Sequence, residues 1–293
     1  MRHFLVATLV AISTCITAQP IDRFFEKADG TINLLGQASL ERLQQAPFNN
    51  WYDTTYSKYE VDTETLNTLT LPDSITIFMG TWCGDSKREV PRFIKLLETA
   101  DFAPSKLRII CLNTGFQNYK QAPEREEAGQ DIHRVPTFIF HSESKEEIGR
   151  IVEEPVISLE QDLKTILEGS PYETYYPVAN DLIQKLKNET VESLRKDKNK
   201  LVATYQGKSV SEYELNTYGY VLWSSFQLTK AEFIFELNTL LYPNSSYPYR
   251  TLANFKSNFG KPKEAMSIVK KGLKVDPENE SLLNMKAYLE KSK

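Results

Sequence analysis

The sequence predicts an α/β unit, a mixed sheet with flanking helices, followed by a second unit that is all helix. Three observations carry this. Between residues 74 and 168, short apolar runs alternate with longer amphipathic segments, the pattern of strands joined by helical crossovers. The last two of those runs, 137–141 and 146–152, are separated by only a few polar residues, which predicts an antiparallel hairpin. From about residue 175 the pattern is helical, and small residues recur every 34 positions. At 293 residues, 41% hydrophobic and 25% charged, the chain is long enough for two modest domains.

Taken in order, residues 1–18 read as an export signal. Met1-Arg2-His3 is a basic start, and Phe4 to Ile12 is an apolar run too short to span a bilayer. Ile16-Thr17-Ala18 offers cleavage near Ala18, which implies a secreted or periplasmic protein. The alternative, a lipid anchor on Cys15, meets Thr14 where a very small residue is usual. Nothing else approaches transmembrane length. Residues 19–54 read as an N-terminal extension, with Ser39 to Gln45 helical. The α/β unit spans 55–170. Within it we expect an edge strand from Tyr56 to Val61, a short helix from Thr63 to Leu69, strand 75–80, helix 87–100 and strand 107–112. A helix over about 121–129, the hairpin strands and helix 158–168 complete it. Gly149 interrupts the final strand and points to a bulge or a close backbone approach. The helical unit covers 175–293.

A formal charge of −4 gives no reason to expect nucleic acid or an anionic membrane as partner. There is no metal-ligand cluster and no glycine-rich phosphate loop, so no cofactor is implied. The chemistry lies in Trp82-Cys83-Gly84-Asp85-Ser86, where an apolar strand delivers a thiol to a polar turn at a helix start. Helix N-termini favour thiolate over thiol. Beyond the leader the only other cysteine is Cys111, inside the apolar run Leu107 to Leu112. It reads either as a buried small residue or as a second thiol for Cys83.

Five features in register resemble the thioredoxin-like fold over about residues 55–168. They are the turn Trp82-Cys83-Gly84, Pro91 eight residues after the cysteine, the core strand Leu107 to Asn113, the loop Val135-Pro136-Thr137 and Gly149 on the last strand. The resemblance implies that Cys83 is the nucleophile and that Ser86 stands where a dithiol motif has its second cysteine. It implies that Pro136 is cis, and that Trp82, Gly84, Val135 and Pro136 line a groove where client backbone pairs by strand addition. Asp85, His133 and Arg134 would then modulate the thiol, a nearby cation lowering its pKa and Asp85 opposing that. His133 also reads as a plain exposed loop residue. Ser86 can hydrogen-bond a thiolate but cannot resolve a mixed disulfide. Release would need an external thiol reductant, a second client thiol or Cys111. Ile77 occupies the position where dithiol members often carry a buried carboxylate.

Over about 212–293 the spacing resembles tetratricopeptide repeats: Ala231 and Ala265, Pro243 and Pro277, and Gly219, Ala253 and Ala287 each lie 34 apart. Phe235 and Tyr249 sit at two large-residue positions, while Val269 and Lys256 depart from the pattern. The resemblance implies binding of a protein partner. An array this short needs either a cap, Asn180 to Leu194, or docking on the first unit. Three functions compete: an exported monothiol thioredoxin-like protein acting on client disulfides, reducing or isomerising them; a non-catalytic protein-binding module on the same fold; and a monothiol glutaredoxin-like protein.

Overall fold

The computed structural model describes residues 22–291, so the expected export signal, its expected cleavage near Ala18 and Cys15 lie outside the described residues. A six-stranded mixed sheet with helices is followed by paired helices. The strands are β1 (Arg23–Glu26), β2 (Ile32–Ala38), β3 (Ser74–Met79), β4 (Leu107–Cys111), β5 (Thr137–His141) and β6 (Glu147–Val152). Their spatial order is β1-β2-β4-β3-β5-β6. Only β3 and β4 run parallel; β5 and β6 form the expected hairpin. Alternation along β3 explains its central place. Ile75, Ile77 and Met79 face one core and Phe78 the other, as a strand buried on both faces requires.

Before β3 lie α1 (Leu40–Leu43), α2 (Asn49–Lys58) and α3 (Thr63–Leu66), and after it α4 (Gly84–Thr99). The stretch expected as an extension therefore contributes two strands to the sheet, and its Leu34, Leu43, Phe48 and Tyr52 are buried in the main core. The expected edge strand from Tyr56 to Val61 is instead the end of α2 and a short connection. Phe48, Tyr52 and Tyr56 recur at helical spacing, and Tyr52 and Tyr56 stack at 5.9 Å, so packing at i, i+4 overrides β propensity. The edges of the sheet are β1 and β6.

The expected helix over 121–129 is a loop. Its backbone turns left-handed at Lys120 and Arg125, and the buried Glu127 accepts the Ala122 N–H at 2.9 Å. Pro123 removes a further helical donor. This loop, not a helix, covers the second face of the sheet through Ala122, Ile132 and Val135. In β6, a register shift opposite Phe140/His141 accompanies Gly149. A Cβ there would lie 2.7 Å from Ile166 of α5 (Leu159–Leu167), so the close approach read from sequence is real.

The helical region comprises α6 (Pro177–Asn188), α7 (Val191–Lys196), α8 (Lys198–Tyr205), α9 (Glu212–Ser224), α10 (Leu228–Leu241), α11 (Ser246–Asn258), α12 (Pro262–Val275) and α13 (Glu280–Lys291). The starts of α9, α11 and α13 are 34 residues apart, as are those of α10 and α12. Ala231, Ala253 and Ala265 are fully buried at the helix contacts, whereas Ala287 on α13 is exposed. Lys256 is buried where an apolar residue is expected because Glu232, Glu236 and Glu264 surround its ammonium.

Helices and sheet meet along the loop 113–136. Phe116 sets its ring edge against Trp223 at 4.7 Å. Gln121 Nε2 donates to Ser224 O at 2.8 Å, and Ser224 Oγ donates to Tyr119 O at 3.1 Å. The helices thus dock on the sheet unit, and α6 also packs on α9. No helix among the described residues is long and apolar enough to cross a membrane.

Candidate functional site

Cys83 is the N-cap of α4, with extended backbone (φ −90°, ψ 130°) and a half-buried side chain. The strand β3 ends four residues earlier, and the turn between is pinned from the N-terminal segment. Thr81 Oγ1 accepts the Leu34 N–H at 3.0 Å and donates to Asn33 at 3.3 Å. The thiol donates to Val135 O at 3.2 Å, with Asp85 Oδ2 at 3.8 Å. The Val135–Pro136 bond is cis. Its loop is held by Thr137 Oγ1 donating to Arg134 O at 2.8 Å and by Glu153 N donating to Pro136 O at 2.7 Å. The structure therefore brings Cys83, Val135 and Pro136 together, with Gly84 exposed beside them. Trp82 folds beneath, donating Nε1–H to Leu112 O at 2.7 Å and lying 6.4 Å from the Tyr119 ring.

Ser86 makes no hydrogen bond to the sulfur among those of the described residues. It is fully buried, and its Oγ accepts the Gly80 N–H at 3.1 Å. Asp85 is engaged by Arg88 at 2.8 Å, and Arg88 also reaches Glu154 at 3.0 Å. Cys111 packs in the main core, on the sheet face opposite the cluster that holds Cys83. Both cysteines are free, and burial pushes the Cys111 thiol strongly up. A direct disulfide between them does not fit this arrangement.

His133 is neither an exposed loop residue nor a cation at the sulfur. It is 2% exposed, and its ring stands edge-on to Tyr176 and Tyr218. Burial, reinforced by Lys120 and Arg134, lowers its imidazole to about 3, so it is neutral at physiological pH. Arg134 pairs with Glu153 at 3.4 Å, donates to Tyr213 O at 2.9 Å and covers the Tyr176 ring at 4.3 Å. It ties the loop to the helices.

Sequence reasoning missed Lys120. Its side chain is buried, and Nζ donates to His133 O at 2.6 Å, two residues from the carbonyl that holds the thiol. Burial pulls its ammonium down to about 7, aided by Arg134 and opposed by Glu153, Cys83 and Asp85. Glu153, also missed, is shifted up by burial against the pull of Arg134 and Lys120. A lysine in a polar, aperiodic stretch carries no sequence sign of burial; only the docking of the helices encloses it. Among the described residues, no group of His, Cys, Asp and Glu is arranged to hold a metal ion. No family model, no curated protein and no solved structure matches this chain.

Proposed function

We propose that this is an exported, thioredoxin-like thiol protein that acts on client disulfides through Cys83, with its tetratricopeptide-like helices recruiting the client. The observation that carries this reading is the half-exposed Cys83 at the N-terminus of a 16-residue helix, facing a cis Val135–Pro136 bond and donating to Val135 O at 3.2 Å. The thiolate attacks one sulfur of a client disulfide. A Cys83–client disulfide forms, and the other client sulfur leaves as thiolate and takes a proton from water. An external thiol or the freed client thiol then attacks the mixed disulfide and releases Cys83. An apolar client segment is favoured by Val156 and Ile157, 48% and 76% exposed. Their loop is tied to the thiol turn by Glu154–Arg88–Asp85.

One observation favours a rival, the non-catalytic binding module. Ser86 is buried and already bonded, and Cys111 lies on the far face of the sheet, so the described residues supply no resolving thiol. Incubation with disulfide-containing proteins of the native compartment separates the two. Alkylation quenching followed by non-reducing electrophoresis should reveal Cys83-dependent adducts that Cys83→Ser abolishes. Equal partner recovery by both proteins, without adducts, would establish the binding module instead.

A further inference from the structure

Lys120 is a buried cation that the proposed reaction leaves unused. Its Nζ donates to His133 O at 2.6 Å, and among the described residues no carboxylate forms an ion pair with it. The acids that act on it are engaged elsewhere, Glu153 by Arg134 at 3.4 Å and Asp85 by Arg88 at 2.8 Å. Burying an ammonium without a carboxylate partner is costly, yet the fold enforces it. Both chain neighbours of Lys120 are tied to Ser224 at the end of α9. Gln121 Nε2 donates to Ser224 O at 2.8 Å, and Ser224 Oγ donates to Tyr119 O at 3.1 Å. Between these two bonds Lys120 takes a left-handed backbone (φ 56°), a conformation that such a residue holds only where its surroundings impose it. The helical half thus fixes the residue whose ammonium ends on the loop of the cis bond.

The thiol ends on the same loop. Cys83 Sγ donates to Val135 O at 3.2 Å, two residues beyond the carbonyl that Lys120 holds. A hydrogen bond given by the thiol favours the protonated sulfur. Once the proton leaves, the sulfur and Val135 O are two electron-rich atoms in contact, and Asp85 Oδ2 at 3.8 Å adds like charge. The dipole of α4 offsets part of this. A cation bonded to the same loop offsets more, because opposite charges favour each other's ionised form. Lys120 and Cys83 act on each other with that sign.

We propose that Lys120 is a positioning residue for the reaction of Cys83: held by α9 and bonded to His133 O, its ammonium favours the Cys83 thiolate across the loop 133–136, so that the helical half completes the thiol site. This rests on the thiol reading of Cys83. No proton passes between the two residues; Cys83 gives its proton to water and Lys120 keeps its own. The charges facing Lys120 are Arg134, Glu153, Asp85 and Cys83. On the helical side Lys187 and Lys230 line the same cavity, where Arg125 and Lys187 engage Glu127 and Asp131. Burial makes Lys120 give up its proton at about pH 7. Its support for the thiolate is therefore largest below that pH and fades as pH rises.

The rate at which iodoacetamide, a neutral reagent, alkylates Cys83 in the full chain tests this. It is read from the Cys83 peptide by mass spectrometry, from mild acid to mild alkali. Lys120→Met should react at least about threefold more slowly than the natural protein near pH 7, with the gap closing as pH rises. Lys120→Gln keeps a hydrogen-bond donor without the charge and should be equally slow. Natural rates in Lys120→Gln would assign the effect to the hydrogen bond and overturn the proposal. Superimposable profiles for Lys120→Met would do the same, as would a slowing equal at every pH, the mark of a displaced loop. Ser224→Ala frees Tyr119 O and leaves the lysine in place. It should slow alkylation near pH 7 by a smaller factor, and an unchanged rate would remove α9 from the site. Client adducts of the natural protein are read in parallel. Their absence would sink the thiol reading itself, whereas an unmoved pH profile in Lys120→Met overturns only the role of Lys120.

Discussion

At the scale of single residues, the environment decides what each ionisable group does. His133 sits at about 3 against an ordinary 6.5 because burial disfavours its charged form. The unfolded chain takes up a proton near pH 6.5 that the folded protein refuses. The stability associated with neutral His133 is therefore complete above about pH 6.5 and drains away as pH falls toward 3. Melting temperature should fall more steeply between about pH 6.5 and pH 4 in the natural protein than in His133→Phe; parallel slopes would remove His133 from that account. Ser86 can be tested in the same spirit. It stands one helical turn after Cys83, and a cysteine there would make a weaker acceptor for Gly80 N–H, costing about 1 kcal/mol. Under mild oxidation, Ser86→Cys should lose two titratable thiols and cease to accumulate client adducts. Retention of both thiols would mean the turn lacks dithiol geometry.

At the scale of elements, close approach between neighbours sets the architecture. A Cβ on Gly219 of α9 would clash with the edge of the Phe235 ring of α10, itself 1% exposed. Alanine is worth up to about 1 kcal/mol over glycine in a helix. Overpacking a filled core costs about 1–3 kcal/mol, and the buried ring has nowhere to move, so the clash should win. Gly219→Ala is expected to lower stability by about 1–2 kcal/mol, read from urea unfolding; a stabilised variant would show that the helix pair separates freely. The same reasoning shows what was readable beforehand. Gly149 and the spaced alanines announce contacts through their size, and β3 announces itself through alternation. The segment 121–129 misled because Gln121, Ala122 and Glu124 to Ala128 have helical propensity, while the left-handed turns at Lys120 and Arg125 answer to tertiary bonds alone.

At the scale of the whole molecule, the two halves are not strung on a linker. Val152 of β6 belongs to the core of the helical half, and Phe116, Gln121 and Arg134 all reach into it. Such an interface should make unfolding cooperative across the chain. Calorimetry is expected to give a single transition for the natural protein. It should give a lower or split transition when Phe116→Ala and Gln121→Ala are combined. Two separate transitions in the natural chain would show the halves to be energetically independent.

Patterns that depend on neighbours in the chain were determined by the sequence alone. These include the strands 75–80 and 107–112, the hairpin, the thiol turn at a helix start and the 34-residue recurrence of small residues, because periodicity and turn chemistry are local. What only the tertiary structure decided depends on neighbours in space. β2 joins the sheet beside β4, Ser86 turns inward to Gly80, and Cys111 lies across the sheet from Cys83. Lys120 and His133 become buried beneath helices that begin more than forty residues later. Burial changes the charge state of a side chain, and burial is a property of the folded surface rather than of the residue's place in the chain.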